Sequence, residues 1–83
     1  MTHKPTDTAD EIRGVVAALL GTDPQNIPGD TNLVLLGLGS LEVMRLSSRW
    51  RREGLPVEFE VLVAAPTIDS WARHLDAVRP DTD

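Results

Sequence analysis

The amino-acid sequence predicts an all-α protein, a four-helix bundle with a long loop between helices 1 and 2. Apolar residues recur at helical spacing in several segments, and glycine, proline and cap-forming residues separate those segments. The 83 residues are enough for one domain with a thin core. A domain of this size has no room for a deep substrate cleft with its own set of catalytic residues.

Helix 1 is predicted from Thr8 to the glycine at position 21. Thr8 followed by Glu11 matches the capping-box pattern, and Gly21 is placed to end the helix. Its apolar residues at helical spacing are Ile12, Val15, Val16, Leu19 and Leu20. The polar residues before it predict a flexible leader at 1–7, followed by a domain at 8–78 and a flexible tail at 79–83.

The long loop, residues 22–39, contains two prolines, three glycines and several turn-forming residues. A loop of this length in a small domain is typically functional or packed by its own side chains. The residues expected to supply that packing are Ile27, Leu33, Leu35 and Leu36.

Helix 2 is predicted to run from Ser40 to about Glu53, and Gly54 ends it. Val43, Leu46 and Trp50 share one face at helical spacing and form its core stripe. A second, smaller apolar patch, Leu41 and Met44, falls on the side of Ser40, with Arg45 at its edge. Either the long loop covers this patch or it binds a partner, in which case Phe59 and Val63 extend it.

The last third of the chain predicts two further elements. Residues 58–65 form a short helix or an irregular turn, because the β-branched residues there leave the choice open. Pro66 ends this element and Thr67 is a natural N-cap for helix 4. The apolar face of helix 4 consists of Ile68, Trp71, Ala72, Leu75 and Val78.

Composition and charge exclude several classes of function. A net charge of −5 argues against nucleic-acid binding, which requires a basic surface. The absence of cysteine removes disulfides, thiolate metal sites and cysteine nucleophiles, and it suits a reducing cytoplasm. The sequence has neither the spacing of a metal site nor the apolar run of a membrane span nor a signal-peptide pattern. We therefore expect a cytoplasmic monomer that binds neither nucleic acid nor membrane.

Ser40 stands where a glycine-containing loop becomes helix 2. A serine at a helix start is most often an N-cap. A catalytic serine needs a base, but the only histidines are His3 in the leader and His74 near the C-terminus. Asp69 lies too far around helix 4 from His74 to orient it. What remains is a hydroxyl modified by another enzyme, beside a surface that this enzyme recognises.

A resemblance to a known family begins in residues 30–46, DTNLVLLGLGSLEVMRL. This segment resembles the phosphopantetheine attachment segment of acyl and peptidyl carrier proteins, D-x-x-L-x-x-L-G-x-[DH]-S-[LIVM]. The matching residues are Asp30, Leu33, Leu36, Gly37, Ser40 and Leu41. Downstream, the stretches RWR and PTIDSW resemble the aryl carrier domains found with isochorismatases and in siderophore-type nonribosomal peptide synthesis. The resemblance covers residues 8–78.

The resemblance implies that Ser40 receives 4′-phosphopantetheine from coenzyme A through a Mg²⁺-dependent phosphopantetheinyl transferase. An adenylating enzyme then loads the terminal thiol with an aryl or amino acid, and a condensation enzyme accepts the acyl group. The chain itself is implied to be a non-catalytic carrier, and its short polar ends predict a free-standing protein. The resemblance also places Met44, Phe59 and Val63 in the partner surface, beside Leu41 and Arg45 of the helical pattern.

Position 39 departs from the family pattern, because Gly39 replaces the usual Asp or His before the serine. In the family that acidic residue helps the transferase engage the site. We therefore expect slow priming or a dedicated transferase, with a change in rate when Asp is restored. The same departure supports the alternative of an unprimed, carrier-like interaction module. A third reading, a small hydrolase that uses Ser40, lacks a base and a cavity.

Overall fold

The computed structural model describes residues 8–79, which form four α-helices and one 3₁₀ turn without a β-strand. The elements are α1 (Thr8–Leu20), the 3₁₀ turn (Pro24–Asn26), α2 (Ser40–Arg52), α3 (Phe59–Ala64) and α4 (Ile68–Val78). The predicted all-α bundle with a long loop between its first two helices is confirmed. The predicted leader, residues 1–7, and residues 80–83 of the predicted tail lie outside the described residues.

The most extensive contact between helices joins α1 to α4. Here the predicted capping box is corrected, because Thr8 already belongs to α1 and is buried. Its hydroxyl donates to Asp76 Oδ1 at 2.7 Å, and Glu11 pairs with Arg79 at 3.7 Å. Both predicted capping residues thus bind the far end of α4 instead, and Arg79, expected in the tail, lies at the C-cap of α4.

The core forms where the two tryptophans meet. The ring centroids of Trp50 and Trp71 lie 6.2 Å apart at an interplanar angle of 82°, an edge-to-face arrangement. Trp71 is fully buried, and its Nε1 donates to the carbonyl oxygen of Leu62 at 2.8 Å, which satisfies its polar atom. The predicted core stripe of helix 2 is confirmed, since Val43, Leu46 and Trp50 are all buried.

The helix boundaries follow the predicted signals. Gly21 follows α1 directly with a φ of 69°, and Gly54 follows the C-cap of α2, Glu53, with a φ of 93°. Residues 59–64, left open between helix and turn, form the short helix α3. Thr67 caps α4 by accepting a hydrogen bond from the Ser70 N–H at 3.1 Å. Across the described range, no helix combines the length and apolar character needed to cross a membrane.

The apolar stripe of α1 differs in part from the prediction. Ile12 and Val16 are buried as expected, but Leu19 is exposed. Ala17, which the helical spacing did not select, is buried instead. Leu19 therefore belongs to the surface between α1 and α2.

Candidate functional site

The long loop is anchored to both sides of the bundle before it reaches Ser40. Arg13 Nε on α1 donates to the Ile27 carbonyl at 2.9 Å, and the Leu33 N–H donates to the Pro66 carbonyl at 2.8 Å. The Asp69 N–H, at the start of α4, donates to the carbonyl of Gly29 at 2.9 Å. These bonds hold the loop in one place although it has almost no regular structure.

The segment directly before Ser40 is a single tight turn that ends at Gly37. The Leu38 N–H donates to the Leu33 carbonyl and the Gly37 N–H to the Val34 carbonyl, both at 3.0 Å. Gly37 has a φ of 111°, which L side chains rarely adopt. This is the Schellman hydrogen-bond pattern, and it brings together the buried side chains of Leu33 and Leu38.

This turn corrects the predicted packing of the loop. Ile27 and Leu33 are buried as predicted, but Leu35 is 81% exposed and Leu36 is 40% exposed. Leu38, which was not among the residues predicted to be buried, fills the core position instead. The reason is that the Schellman turn directs its first and last residues inward and everything between them outward. The combination of a leucine, a glycine four positions later and another leucine was the signal available in the sequence.

Ser40 is the first residue of α2 and is exposed. The common expectation of an N-cap serine is therefore wrong here, because Gly39 occupies the cap position with φ −90° and ψ 170°. Glu42 supplies the missing cap, since its Oε1 accepts a hydrogen bond from the Gly39 N–H at 3.1 Å. The Ser40 hydroxyl is left at the positive end of the helix, open to solvent.

Neither general-base nor metal chemistry finds support around Ser40 in the described part of the chain. His74 Nε2 accepts a hydrogen bond from the Glu58 N–H at 3.2 Å and so holds α3 to α4. That contact uses the nitrogen that a general base would need. His3 lies outside the described residues. Within residues 8–79 no group of three His, Cys, Asp or Glu side chains is placed to hold a metal ion.

The apolar patch beside Ser40 is open, so the reading in which the loop covers it is wrong. Leu41 is 54% exposed and Met44 49%, and Val63 on α3 is 41% exposed. Arg45 is exposed, as predicted from its place at the patch edge. Phe59 differs from the other four, because it is half-buried and packs against the core. A further exposed group, missed from the sequence, is Val34 to Leu36 on the turn before Ser40.

Comparisons with known proteins agree with this geometry. The family described as "Phosphopantetheine attachment site" matches residues 10–75. Phenyloxazoline synthase MbtB of Mycolicibacterium paratuberculosis is 45% identical over all 83 residues, which is 7% of that protein. MbtB of Mycobacterium tuberculosis is 42% identical over 87% of the chain and 5% of its own length. An isochorismatase of Bacillus subtilis is 40% identical over 82% of the chain and 22% of its own length.

The chain thus spans less than a quarter of each of these relatives. Members of the matching family carry 4′-phosphopantetheine as a covalently attached group. Such a group requires a hydroxyl that an enzyme can reach, and the exposed Ser40 at the start of α2 fits this requirement. The chain belongs to the phosphopantetheine attachment site family, the carrier proteins, close to the aryl carrier domains of nonribosomal peptide synthesis.

Proposed function

We propose that this chain carries an aryl or aminoacyl group as a thioester on 4′-phosphopantetheine attached to Ser40. The observation that carries the proposal is the exposed Ser40 hydroxyl at the first position of α2, inside the segment that matches the attachment-site family. Its role is that of a non-catalytic component of nonribosomal peptide biosynthesis in the cytoplasm.

The residues around Ser40 present its hydroxyl rather than activate it. The Schellman turn and the bond from Leu33 to Pro66 hold the loop, so that α2 begins at a defined place. Gly39 adds no side chain beside the hydroxyl, and the Glu42 carboxylate lies close to where its β-carbon would be. The base and the Mg²⁺ belong to the visiting phosphopantetheinyl transferase, and coenzyme A supplies the phosphopantetheine. Once attached, that group supplies a thiol, which this chain without cysteine does not have.

The partner surface proposed for this carrier consists of Leu41, Met44, Arg45, Phe59 and Val63. The exposure of Leu41, Met44 and Val63 supports this assignment, since such apolar side chains lose unfavourable hydration when a partner covers them. Phe59 contributes through its exposed edge. The partners are the priming transferase, an adenylating enzyme that loads the thiol, and a condensation enzyme that accepts the acyl group.

The names of the relatives support an aryl group as the cargo. A phenyloxazoline contains a phenyl ring, and the name isochorismatase denotes an enzyme that acts on isochorismate. We propose a hydroxylated aryl acid, such as salicylate or dihydroxybenzoate, as the loaded acid. We also propose that the carrier acts as a monomer and as a free-standing partner of its loading enzyme.

The test is the intact mass of the protein after incubation with coenzyme A, Mg²⁺ and a broad-specificity phosphopantetheinyl transferase. The wild type should gain one phosphopantetheine and Ser40→Ala none. Ser48→Ala is the matched control, because Ser48 is another exposed serine of α2, and it should be primed like the wild type. No gain in a folded wild type would refute the proposal, and a gain in Ser40→Ala would place the group elsewhere.

The second candidate is an interaction module with the carrier fold that is never primed. Gly39 favours it, because the capping carboxylate comes from Glu42 and the position before the serine is bare. This candidate predicts that several transferases leave the mass unchanged while the folded protein still binds an adenylating or condensation enzyme. Priming at Ser40 by any transferase at a useful rate would exclude it.

A further inference from the structure

The Glu42 side chain folds back from the third position of α2 to the residue before Ser40. Its Oε1 accepts a hydrogen bond from the Gly39 N–H at 3.1 Å. A β-carbon at position 39 would lie 2.9 Å from the same oxygen. That distance is only slightly longer than the one between the β-carbon and a carboxylate oxygen within an aspartate side chain. Glu42 therefore puts a carboxylate oxygen close to where an acidic residue at position 39 would put its own.

The negative charge of the Glu42 carboxylate is not neutralised within the described part of the chain. Among residues 8–79 Glu42 takes part in no ion pair, and its hydrogen bond engages only one of its two carboxylate oxygens. The side chain is half-buried, and the bond to the backbone holds it in place. A group that is already held in place loses less conformational freedom when a partner binds it. Glu42 thus presents a preorganised negative group next to the exposed Ser40.

The position of this carboxylate matters most for the partner that acts on the Ser40 hydroxyl itself. In priming, the Ser40 Oγ bonds to the phosphorus next to the pantetheine, and the bond between the two phosphates of coenzyme A breaks. The nucleotide half of coenzyme A leaves with the electron pair, and the hydroxyl proton passes to a base of the transferase. The adenylating and condensation enzymes act on the thiol, at the far end of the attached arm. Among the three proposed partners, only the phosphopantetheinyl transferase therefore has its reacting atoms beside the Glu42 carboxylate.

The charge of Glu42 is complementary to the site that this transferase must have. Coenzyme A is a polyanion, so the site that binds it carries positive charge. We propose that Glu42 is the acidic recognition residue for the transferase and replaces the acid absent from position 39, a proposal that rests on the carrier function proposed above. Its carboxylate pairs with a cationic side chain of the transferase and so directs the Ser40 Oγ towards the phosphorus. Glu42 is a positioning residue and takes no proton in the reaction.

The experiment compares priming of Glu42→Gln with priming of the wild type. Glutamine removes the charge but keeps an oxygen that can accept the hydrogen bond from the Gly39 N–H. The matched control is Glu53→Gln, which removes one charge at the opposite end of the same helix. Rates are measured by intact mass with coenzyme A, Mg²⁺ and a broad-specificity transferase over a range of NaCl concentrations. At low salt we expect kcat/KM of Glu42→Gln to be about tenfold below the control, through a higher KM for the carrier.

Two further readouts separate recognition by charge from a role in capping alone. The KM for coenzyme A should not change in Glu42→Gln, and the difference in kcat/KM from the control should shrink at high salt, which screens the ion pair. In the Glu42→Gln background, Gly39→Asp should recover most of the lost rate, whereas the uncharged Gly39→Asn should not. If Glu42 served only as a cap, both substitutions would recover it equally, because Asp and Asn are equally good caps. With Glu42 in place, Gly39→Asp should gain less, since a carboxylate already lies there.

The possible results distinguish this proposal from the carrier function on which it rests. Equal kcat/KM for Glu42→Gln and Glu53→Gln, with a wild type that is primed, would overturn the role of Glu42 and leave the carrier function intact. Equal recovery by Asp and Asn at position 39 would do the same. Both of these residues supply their own cap, so this comparison holds even if Glu42→Gln weakens the start of α2. A folded wild type that no transferase primes would overturn both proposals.

Discussion

Replacing Gly39 by aspartate tests how the N-terminus of α2 is capped. The backbone at position 39 is extended, with φ −90°, so a side chain introduces no backbone strain. A β-carbon at this position would lie 2.9 Å from Glu42 Oε1. The Glu42 carboxylate must therefore shift by a few tenths of an ångström, or leave its hydrogen bond with the backbone N–H of residue 39. The substitution is thus coupled to Glu42, a residue that the family pattern around the serine does not include.

The size of the effect follows from opposing contributions to the free energy of unfolding. Aspartate is a better N-cap than glycine by a few tenths of a kcal/mol, and a negative charge at a helix start adds about 0.3–1 kcal/mol. Two carboxylates about 4 Å apart repel each other by about 1 kcal/mol in water. The loss or weakening of the Glu42 hydrogen bond costs about 0.5–1.5 kcal/mol. The costs exceed the gains, so we expect Gly39→Asp to lower the free energy of unfolding by about 0.2–2 kcal/mol.

Three further variants separate charge from capping. Gly39→Asn offers a cap of the same size without charge, so it avoids the repulsion but forgoes the helix-dipole gain. It should be more stable than Gly39→Asp by at most about 0.7 kcal/mol. In a Glu42→Gln background the order should reverse, with Gly39→Asp more stable than Gly39→Asn by about 0.3–1 kcal/mol, because the repelling carboxylate is gone and the helix-dipole gain remains. The free energies come from urea unfolding followed by circular dichroism. Mass spectrometry of the same proteins gives the priming rates.

The priming rates decide whether the missing acid limits modification. If a carboxylate before the serine helps the transferase, Gly39→Asp should be primed faster than both Gly39→Asn and the wild type. The acceleration should be larger in the Glu42→Gln background, where the introduced carboxylate is free to face the transferase. A difference in stability between Gly39→Asp and Gly39→Asn that is the same in both backgrounds would refute the proposed coupling to Glu42. Equal priming rates in both backgrounds would refute the interpretation of Gly39 as a handicap.

Four other substitutions test single contacts by urea unfolding. Gly37→Ala should lower the free energy of unfolding by about 1–3 kcal/mol, because φ is 111° at this position. The nearest atom to the new β-carbon is 3.8 Å away, so the loss comes from backbone strain and not from crowding. Unchanged stability would contradict the positive φ. Gly29→Ala should cost about 1–2 kcal/mol because the new methyl overlaps the Asp69 carboxylate, and Asp69→Ala should relieve part of that loss if the overlap is its cause. Trp71→Phe should cost about 2 kcal/mol by leaving the Leu62 carbonyl unpaired, and a neutral result would show that this carbonyl finds another donor. Thr8→Val should cost about 1 kcal/mol through the lost bond to Asp76, whereas Thr8→Ser should retain most of the stability.

The helices and their ends could be predicted from the sequence because their signals are local. The glycines at 21 and 54 end α1 and α2, and Thr67 caps α4, each through hydrogen bonds within a few residues. The core face of α2 followed from helical spacing alone. The short helix α3 was ambiguous because β-branched residues lower helix propensity, and its burial of Leu62 against Trp71 decided the outcome.

The candidate site was only partly predictable, because part of it lies on a regular helix and part on an irregular turn. Ser40 and its exposed neighbours Leu41 and Met44 could be placed from periodicity, since they lie on one regular helix. The Schellman turn before Ser40 reversed the expected roles of Leu35 and Leu38, because its side-chain directions follow hydrogen bonds rather than a repeating pattern. The cap from Glu42 was missed because the family pattern directs attention to position 39 itself and not to the side chain three residues later.

The amino-acid order alone was enough to identify a small helical carrier with one serine at a loop–helix junction. Spacing of apolar residues, glycine stops and the attachment motif all act over short stretches of chain, so they can be recognised without coordinates. Three-dimensional packing was needed to show which loop leucines are buried and that Thr8 and Glu11 bind the end of α4. It was also needed to show that the patch beside Ser40 is open. These outcomes depend on contacts between residues far apart in the chain, and no local pattern encodes them.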